Sequence, residues 1–143
     1  MSTSVENLII SSNSCNELNS LNLNEYQYLK SIEIGNDCFS NVDTFNIDGL
    51  NELKSLKIGM KSFTKRKNWY WNDSSRSFSI LNCIELESIE IGHHSFSDYG
   101  GGFELVNLPK LESIKIGEIG NSSNNFYYSS FEIKGIIDDI DNE

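Results

Sequence analysis

The sequence predicts a predominantly β solenoid, a single coil of stacked repeats. A parallel sheet of short S-I-x-I strands lies on one side and short F-x-I strands lie on the other. Two observations predict it. The first is recurrence: Phe78–Phe96 reads FSILNCIELESIEIGHHSF, Phe45–Phe63 reads FNIDGLNELKSLKIGMKSF, and Leu21–Phe39 reads LNLNEYQYLKSIEIGNDCF. Phe103–Gly117, FELVNLPKLESIKIG, follows the same skeleton without its last Phe. An apolar pattern repeated at this period is one supersecondary unit stacked on itself. The second is alternation. Both S-I-x-I-G and F-x-I alternate apolar with polar residues at period two, and no helical periodicity runs longer than a turn or two.

Taken in order, the chain opens with a half repeat over about 5–20, in which Val5, Leu8 and Ile10 match Leu29, Ile32 and Ile34. Cys15 occupies the place of Phe39, Phe63 and Phe96. Four repeats follow, at about 21–44, 45–77, 78–102 and 103–130, and a C-terminal half repeat or cap occupies 131–143. The x-x-L-x-x-L link reads as a tight connector with inward side chains. The glycine after S-I-x-I reads as a turn residue that stops the strand. Length varies almost only after the S-F pair, so insertions enter at one point of the unit and emerge on one edge of the stack. Successive S-I-x-I strands, a full coil turn apart, pair in parallel. Their outward residues run Ile9, Glu33, Lys57, Glu90, Lys115, alternating in sign from Glu33 onward. Ser31, Ser55, Ser88 and Ser113 form a second outward row.

Composition narrows the function classes. With 11 basic and 21 acidic residues the formal charge is −10, which opposes nucleic acid and anionic membranes as partners. No apolar run reaches the length of a membrane span, and the N-terminus lacks the pattern of a secretory signal, so a cytoplasmic location is expected. Three cysteines without a C-x-x-C pair make neither a disulfide framework nor a zinc site. His93 and His94 are adjacent and point to opposite faces of a strand end, so no metal is expected. No nucleophile elbow, phosphate loop or inward carboxylate pair is present, so neither an enzyme nor a cofactor is expected.

The L-x-x-L-x-S-I-x-I-G-x-x-S-F segments resemble the leucine-rich repeat. Leu29, Ile32, Ile34 and Phe39 occupy the family's apolar positions, as do Leu53, Leu56, Ile58 and Phe63, and Leu86, Ile89, Ile91 and Phe96. I-G-x-x-S-F is also similar to the I-G-x-x-A-F of the BspA-type subclass. The resemblance implies a leucine-rich-repeat solenoid wound as a right-handed coil, with a usual role in binding other proteins. The family's ladder asparagine is replaced by Asp37, Lys61 and His94, so no asparagine ladder is expected there.

Two surfaces are therefore expected to carry function. The longest insertion holds Lys65, Arg66, Lys67, Trp69, Tyr70 and Trp71, with both tryptophans and the densest basic cluster of the chain. Aromatics beside cations are common anchors of binding hot spots. Tyr99, Tyr127 and Tyr128, from equivalent segments of later repeats, are expected along the same edge, with Glu33, Lys57, Glu90 and Lys115 on the strand face. The resulting expectation is a non-catalytic protein-interaction or scaffold module. The alternative is a structural protein stacking head to tail with copies of itself through Leu8, Ile9, Ile10, Phe131 and Ile133.

Overall fold

The computed structural model describes residues 4–65, 73–117, 125–126 and 131–135. Its strands are β1 (Asn7–Ile10), β2 (Ser31–Ile34), β3 (Thr44–Asp48), β4 (Ser55–Ile58), β5 (Ser77–Leu81), β6 (Ser88–Ile91), β7 (Phe103–Val106), β8 (Ser113–Ile116) and β9 (Phe131–Lys134). The strands alternate between two sheets, ordered β1-β2-β4-β6-β8 and β3-β5-β7-β9. Every pairing is parallel. The result is a nearly all-β, solenoid-like coil whose S-I-x-I strands form one sheet and whose F-x-I strands form the other. Among the described residues no helix is long and apolar enough to cross a membrane.

Register places each residue beside its own copy. Ile32 lies beside Leu56, Leu56 beside Ile89, and Ile89 beside Ile114. Ile32, Ile34, Leu56, Ile58, Ile89 and Ile91 are all buried between the sheets. The L-x-x-L connectors are tight turns: the N–H of Leu53, Leu86 and Leu111 donates to the carbonyl three residues back, at 3.3, 3.3 and 3.1 Å. Phenylalanines form two columns. Phe39, Phe63, Phe96 and Phe126 stack at 5.2, 4.7 and 5.0 Å between centroids. Phe45, Phe78 and Phe103 stack at 4.9 and 5.0 Å. The columns meet edge to face, as in Phe78–Phe96 at 80° and Phe103–Phe126 at 74°. Each such pair contributes about 0.5–1.5 kcal/mol beyond its area burial.

The glycine of S-I-x-I-G ends each strand, as the sequence suggests, and in three copies it has a further task. Gly35, Gly59 and Gly92 do not adopt positive φ, unlike Gly117 at 76°; they stack. A Cβ on Gly92 would lie 2.6 Å from the Gly59 carbonyl carbon, and one on Gly35 would lie 2.6 Å from the Ser12 nitrogen. Positive φ falls instead on Asp37, Lys61 and His94, and on Phe39, Phe63, Phe96 and Phe126, at +50 to +64°. Bulky residues there are strained by roughly 1–3 kcal/mol each. The neighbouring turn holds them in place. Phe63 N–H donates to Cys38 O (2.8 Å), and Phe96 N–H donates to Ser62 O (3.0 Å).

No asparagine ladder forms at Asp37, Lys61 and His94; the next residue supplies a hydroxyl ladder. Ser62 Oγ donates to Gly35 O (2.8 Å) and accepts from Cys38 N–H (3.1 Å). Ser95 Oγ donates to Gly59 O (2.6 Å) and accepts from Ser62 N–H (3.0 Å). Amides do form a ladder at another corner, after the F-x-I strands. Asn82 Nδ2 donates to Asp48 Oδ1 and Asn107 Nδ2 to Asn82 Oδ1, each at 3.0 Å. Asn82 and Asn107 have φ of 56 and 58°, and Gly49 at the equivalent place has 77°.

Three features depart from the expected repeat. Leu21-Asn22-Leu23 does not form a strand; Leu23–Glu25 is a 3-10 turn. Asn24 serves the edge of β3 with its side chain, accepting from Asp48 N–H (2.9 Å) and donating to Asn46 O (3.4 Å). Repeat four does have its last Phe, as Phe126, displaced by the insertion after Gly117. Asn125 Nδ2 donates to Gly92 O (2.7 Å), which puts it in the hydroxyl ladder after Ser62 and Ser95. The inward isoleucines of β8 are not sealed: Ile114 and Ile116 are 41% and 38% exposed, because β8 pairs on one side only.

The stacking sets the expected cost of three substitutions. Gly92→Ala should lower unfolding free energy by about 1–3 kcal/mol, since its methyl meets backbone of the turn below. Gly49→Asn, with open space at its Cβ and asparagines already at the equivalent places, should change it by less than about 0.5 kcal/mol. Urea unfolding of the two variants checks the contrast. Phe126→Ala should cost about 3–5 kcal/mol, as for a core phenylalanine; a loss near zero would remove Phe126 from the column.

Candidate interaction surfaces

The first surface is the outer face of the five-stranded sheet. Glu33 lies beside Lys57, Lys57 beside Glu90, and Glu90 beside Lys115, with Ile9 next to Glu33 at the edge. The neighbours thus alternate in sign, an arrangement that favours this register by about 0.2–1 kcal/mol per pair. Lys115 Nζ lies 3.9 Å from Glu90 Oε1 with both side chains largely in water, so this contact is weak. The Ser31, Ser55, Ser88 and Ser113 row runs alongside and continues to Asn7, whose Oδ1 accepts from Ser31 Oγ (2.6 Å). The two rows line an open trough with Ser31, Glu33, Ser55, Lys57 and Glu90 along it.

At the sheet's first edge, Leu8 and Ile10 are half-buried against the core and Ile9 is 69% exposed. Ile133 on β9 is also exposed, and Phe131 pairs with Phe103 in the backbone register.

The second surface is the insertion edge. Arg66, Lys67, Trp69, Tyr70, Trp71, Tyr127 and Tyr128 lie outside the described residues; Lys65 is described and exposed. The two ends of the insertion converge on one residue. Lys65 N–H donates to Asp98 Oδ2 (3.1 Å), and Asp73 N–H donates to Asp98 O (3.1 Å). Asp73 O accepts from Gly100 N–H (3.0 Å) and Arg76 N–H (3.1 Å). Asp73 also forms a parallel bridge with Tyr99. The Ser75 hydroxyl, 2.6 Å from Asp73 Oδ1, and the Ser75 N–H hold the Asp73 carboxyl below its usual range.

Beneath this neck lies a buried charge cluster. Arg76 is 0% exposed, and its Nη2 donates to Ser40 O and Val42 O, each at 2.9 Å. Its Nη1 lies 3.6 Å from Asp98 Oδ2 and its Nε lies 3.8 Å from Asp43 Oδ1. The guanidinium sits over the Tyr99 ring at 5.0 Å. Arg76 therefore ties the turn holding Ser40–Asp43 to the turn holding Asp98 and Tyr99.

Tyr99 does not join the exposed edge. It is fully buried, edge-on against Phe96 (4.8 Å, 87°), with its hydroxyl donating to Val42 O. Burial pushes its phenol well above the usual range. Space under Arg76 admits a flat ring, and the hydroxyl finds a carbonyl there, so the side chain folds inward over its own turn. Arg76 and Asp98 carry no motif in the sequence; only the three-dimensional neck reveals them.

His93 and His94 lie in a turn after β6 and their rings meet, rather than pointing to opposite faces of a strand end. His93 and His94 have ring centroids 5.0 Å apart, and burial, His93 and Lys61 lower the pKa of His94. Burial raises the Cys83 thiol, which keeps it protonated. Among the described residues no three His, Cys, Asp or Glu side chains come together as a metal site. Comparisons with protein-family models, with curated proteins and with solved structures find no match to this chain.

Proposed function

We propose that this chain is a non-catalytic protein-interaction module built as a right-handed leucine-rich-repeat solenoid, similar to the BspA-type subclass. The observation that carries the reading is the in-register outer face of the five-stranded sheet. Its Glu33, Lys57, Glu90 and Lys115 are fixed at strand spacing on a rigid support and offer most of their charge to water. Such a face orients a partner by charge and contributes little affinity by itself. Affinity comes from the insertion, where Trp69, Tyr70 and Trp71 supply apolar anchors and Lys65, Arg66 and Lys67 select carboxylates. The partner is a protein segment that presents acidic residues beside an apolar one.

Both tryptophans of the chain lie in the insertion, so their fluorescence reports on it directly. Titration with a panel of acidic peptides, each carrying one leucine or phenylalanine, should shift their emission. In an assay read from labelled peptide, Trp69→Ala/Trp71→Ala should weaken binding by at least tenfold and leave the thermal midpoint unchanged. Binding that survives both substitutions, or a domain that melts with them, removes this edge from the function.

A second reading, head-to-tail stacking of copies, is favoured by Ile9, which stands 69% exposed on an edge strand. The register sets a condition on it. Extending the coil would put Ile9 beside Lys115 and Glu6 beside Glu112, the latter a like-charge contact. Assembly should therefore grow with concentration and be stronger at high salt, where that repulsion is screened. Light scattering across both variables checks this, and a monomer throughout ends the reading.

A further inference from the structure

We infer that Asp98 is a clasp that holds the insertion closed at its neck, with Arg76 as its support. The inference rests on the reading of the insertion as the partner-binding edge and assigns the residues that position it.

The geometry is specific to this residue. Asp98 takes one end of the insertion with its side chain, at Lys65 N–H, and the other end with its backbone carbonyl, at Asp73 N–H. One residue of the next turn therefore fixes both strands of the neck. Its carboxylate is itself buried, and Arg76 Nη1 stands 3.6 Å away to balance the charge. Arg76 in turn grips Ser40 O and Val42 O two turns from Asp98. The neck is thus braced against the coil over three successive turns.

The choice of residue types also points to a clasp. A buried ion pair stabilises a core little better than an apolar pair of the same volume, and often less well. Among the described residues, Arg76 and Asp98 are the only buried charged side chains. What Asp98 offers that leucine cannot is an acceptor for a backbone N–H at the mouth of the insertion. A neck fixed in advance lowers the ordering cost of binding, because its two ends need not be brought together when the partner arrives.

Two measurements test the clasp without any partner. Amide hydrogen exchange on the unmodified protein should show Lys65 and Asp73 protected by at least tenfold over free peptide rates; two unprotected amides overturn the proposal. Trypsin under native conditions should cut after Arg66 and Lys67 slowly, because a protease must draw an extended stretch of chain into its site. In Arg76→Met/Asp98→Leu, which keeps the core filled, those two cuts should quicken at least tenfold with no matching change in urea midpoint. Arg76→Met/Asp98→Asn retains an acceptor for Lys65 N–H and should be cut more slowly than the leucine variant. Equal cutting in the two variants, or cutting as fast in the unmodified protein, overturns the clasp. These readouts fail separately from the binding reading, whose own failure is an acidic peptide panel that leaves tryptophan emission of the unmodified protein unshifted.

Discussion

Direct contact between one coil turn and the next, with no side chain between them, is the constraint on which the structure depends. Parallel strands pair about 4.7–4.9 Å apart, so each turn must lie that close to its neighbours all the way round. Phenyl rings stacked at 4.7–5.2 Å fit this spacing, which is why one ring type recurs down each column. At the corner after S-I-x-I even a methyl is too large, and Gly35, Gly59 and Gly92 follow from that alone. The positive φ at Phe39, Phe63 and Phe96 has the same origin. The chain must reverse within a few residues while keeping the ring on its column, and the interturn hydrogen bonds compensate the strain.

The same constraint explains why a chain so rich in asparagine and serine is ordered. Corners of a coil leave backbone groups that no strand pairing satisfies, and a buried unpaired group costs about 1–3 kcal/mol. Short polar side chains one turn away fill the gap. Ser62 and Ser95 serve one corner, Asn82 and Asn107 another. Asn16 serves a third, accepting from Ser40 N–H (2.9 Å) and donating to Asp37 O (2.9 Å). Polarity that would mark disorder in a chain without periodicity is here part of the framework.

How much of this was legible follows from which interactions repeat. The strands, their parallel register, the sign alternation along Glu33, Lys57, Glu90 and Lys115, and the buried isoleucines could all be read, because each recurs at a fixed place in the unit. The glycine can be read as the end of each strand, but not as the point where turns touch, because close approach and positive φ leave the same letter in a sequence. Phe126 was hidden by the length of the insertion before it, although Asn125 preserves the small polar residue that precedes Phe63 and Phe96. Tyr99 reads as a surface residue because nothing local shows that Arg76, two strands earlier, opens a slot for its ring. Arg76 and Asp98 occur once each, so periodicity has nothing to say about them.

That last pair shows where a repeat fold can carry something particular to one protein. A column of identical residues tolerates no local novelty, since any change must also fit the turns above and below. An insertion escapes the rule only at the corner where it leaves the coil, and there it must end as it began, with both strands returned to the spacing of the stack. Apolar packing cannot direct two backbone strands to one point; a carboxylate and a carbonyl on a single residue can. The buried charge of Arg76 and Asp98 at that corner, where the other buried side chains among the described residues are uncharged, is then a consequence of joining a unique loop to a repetitive coil.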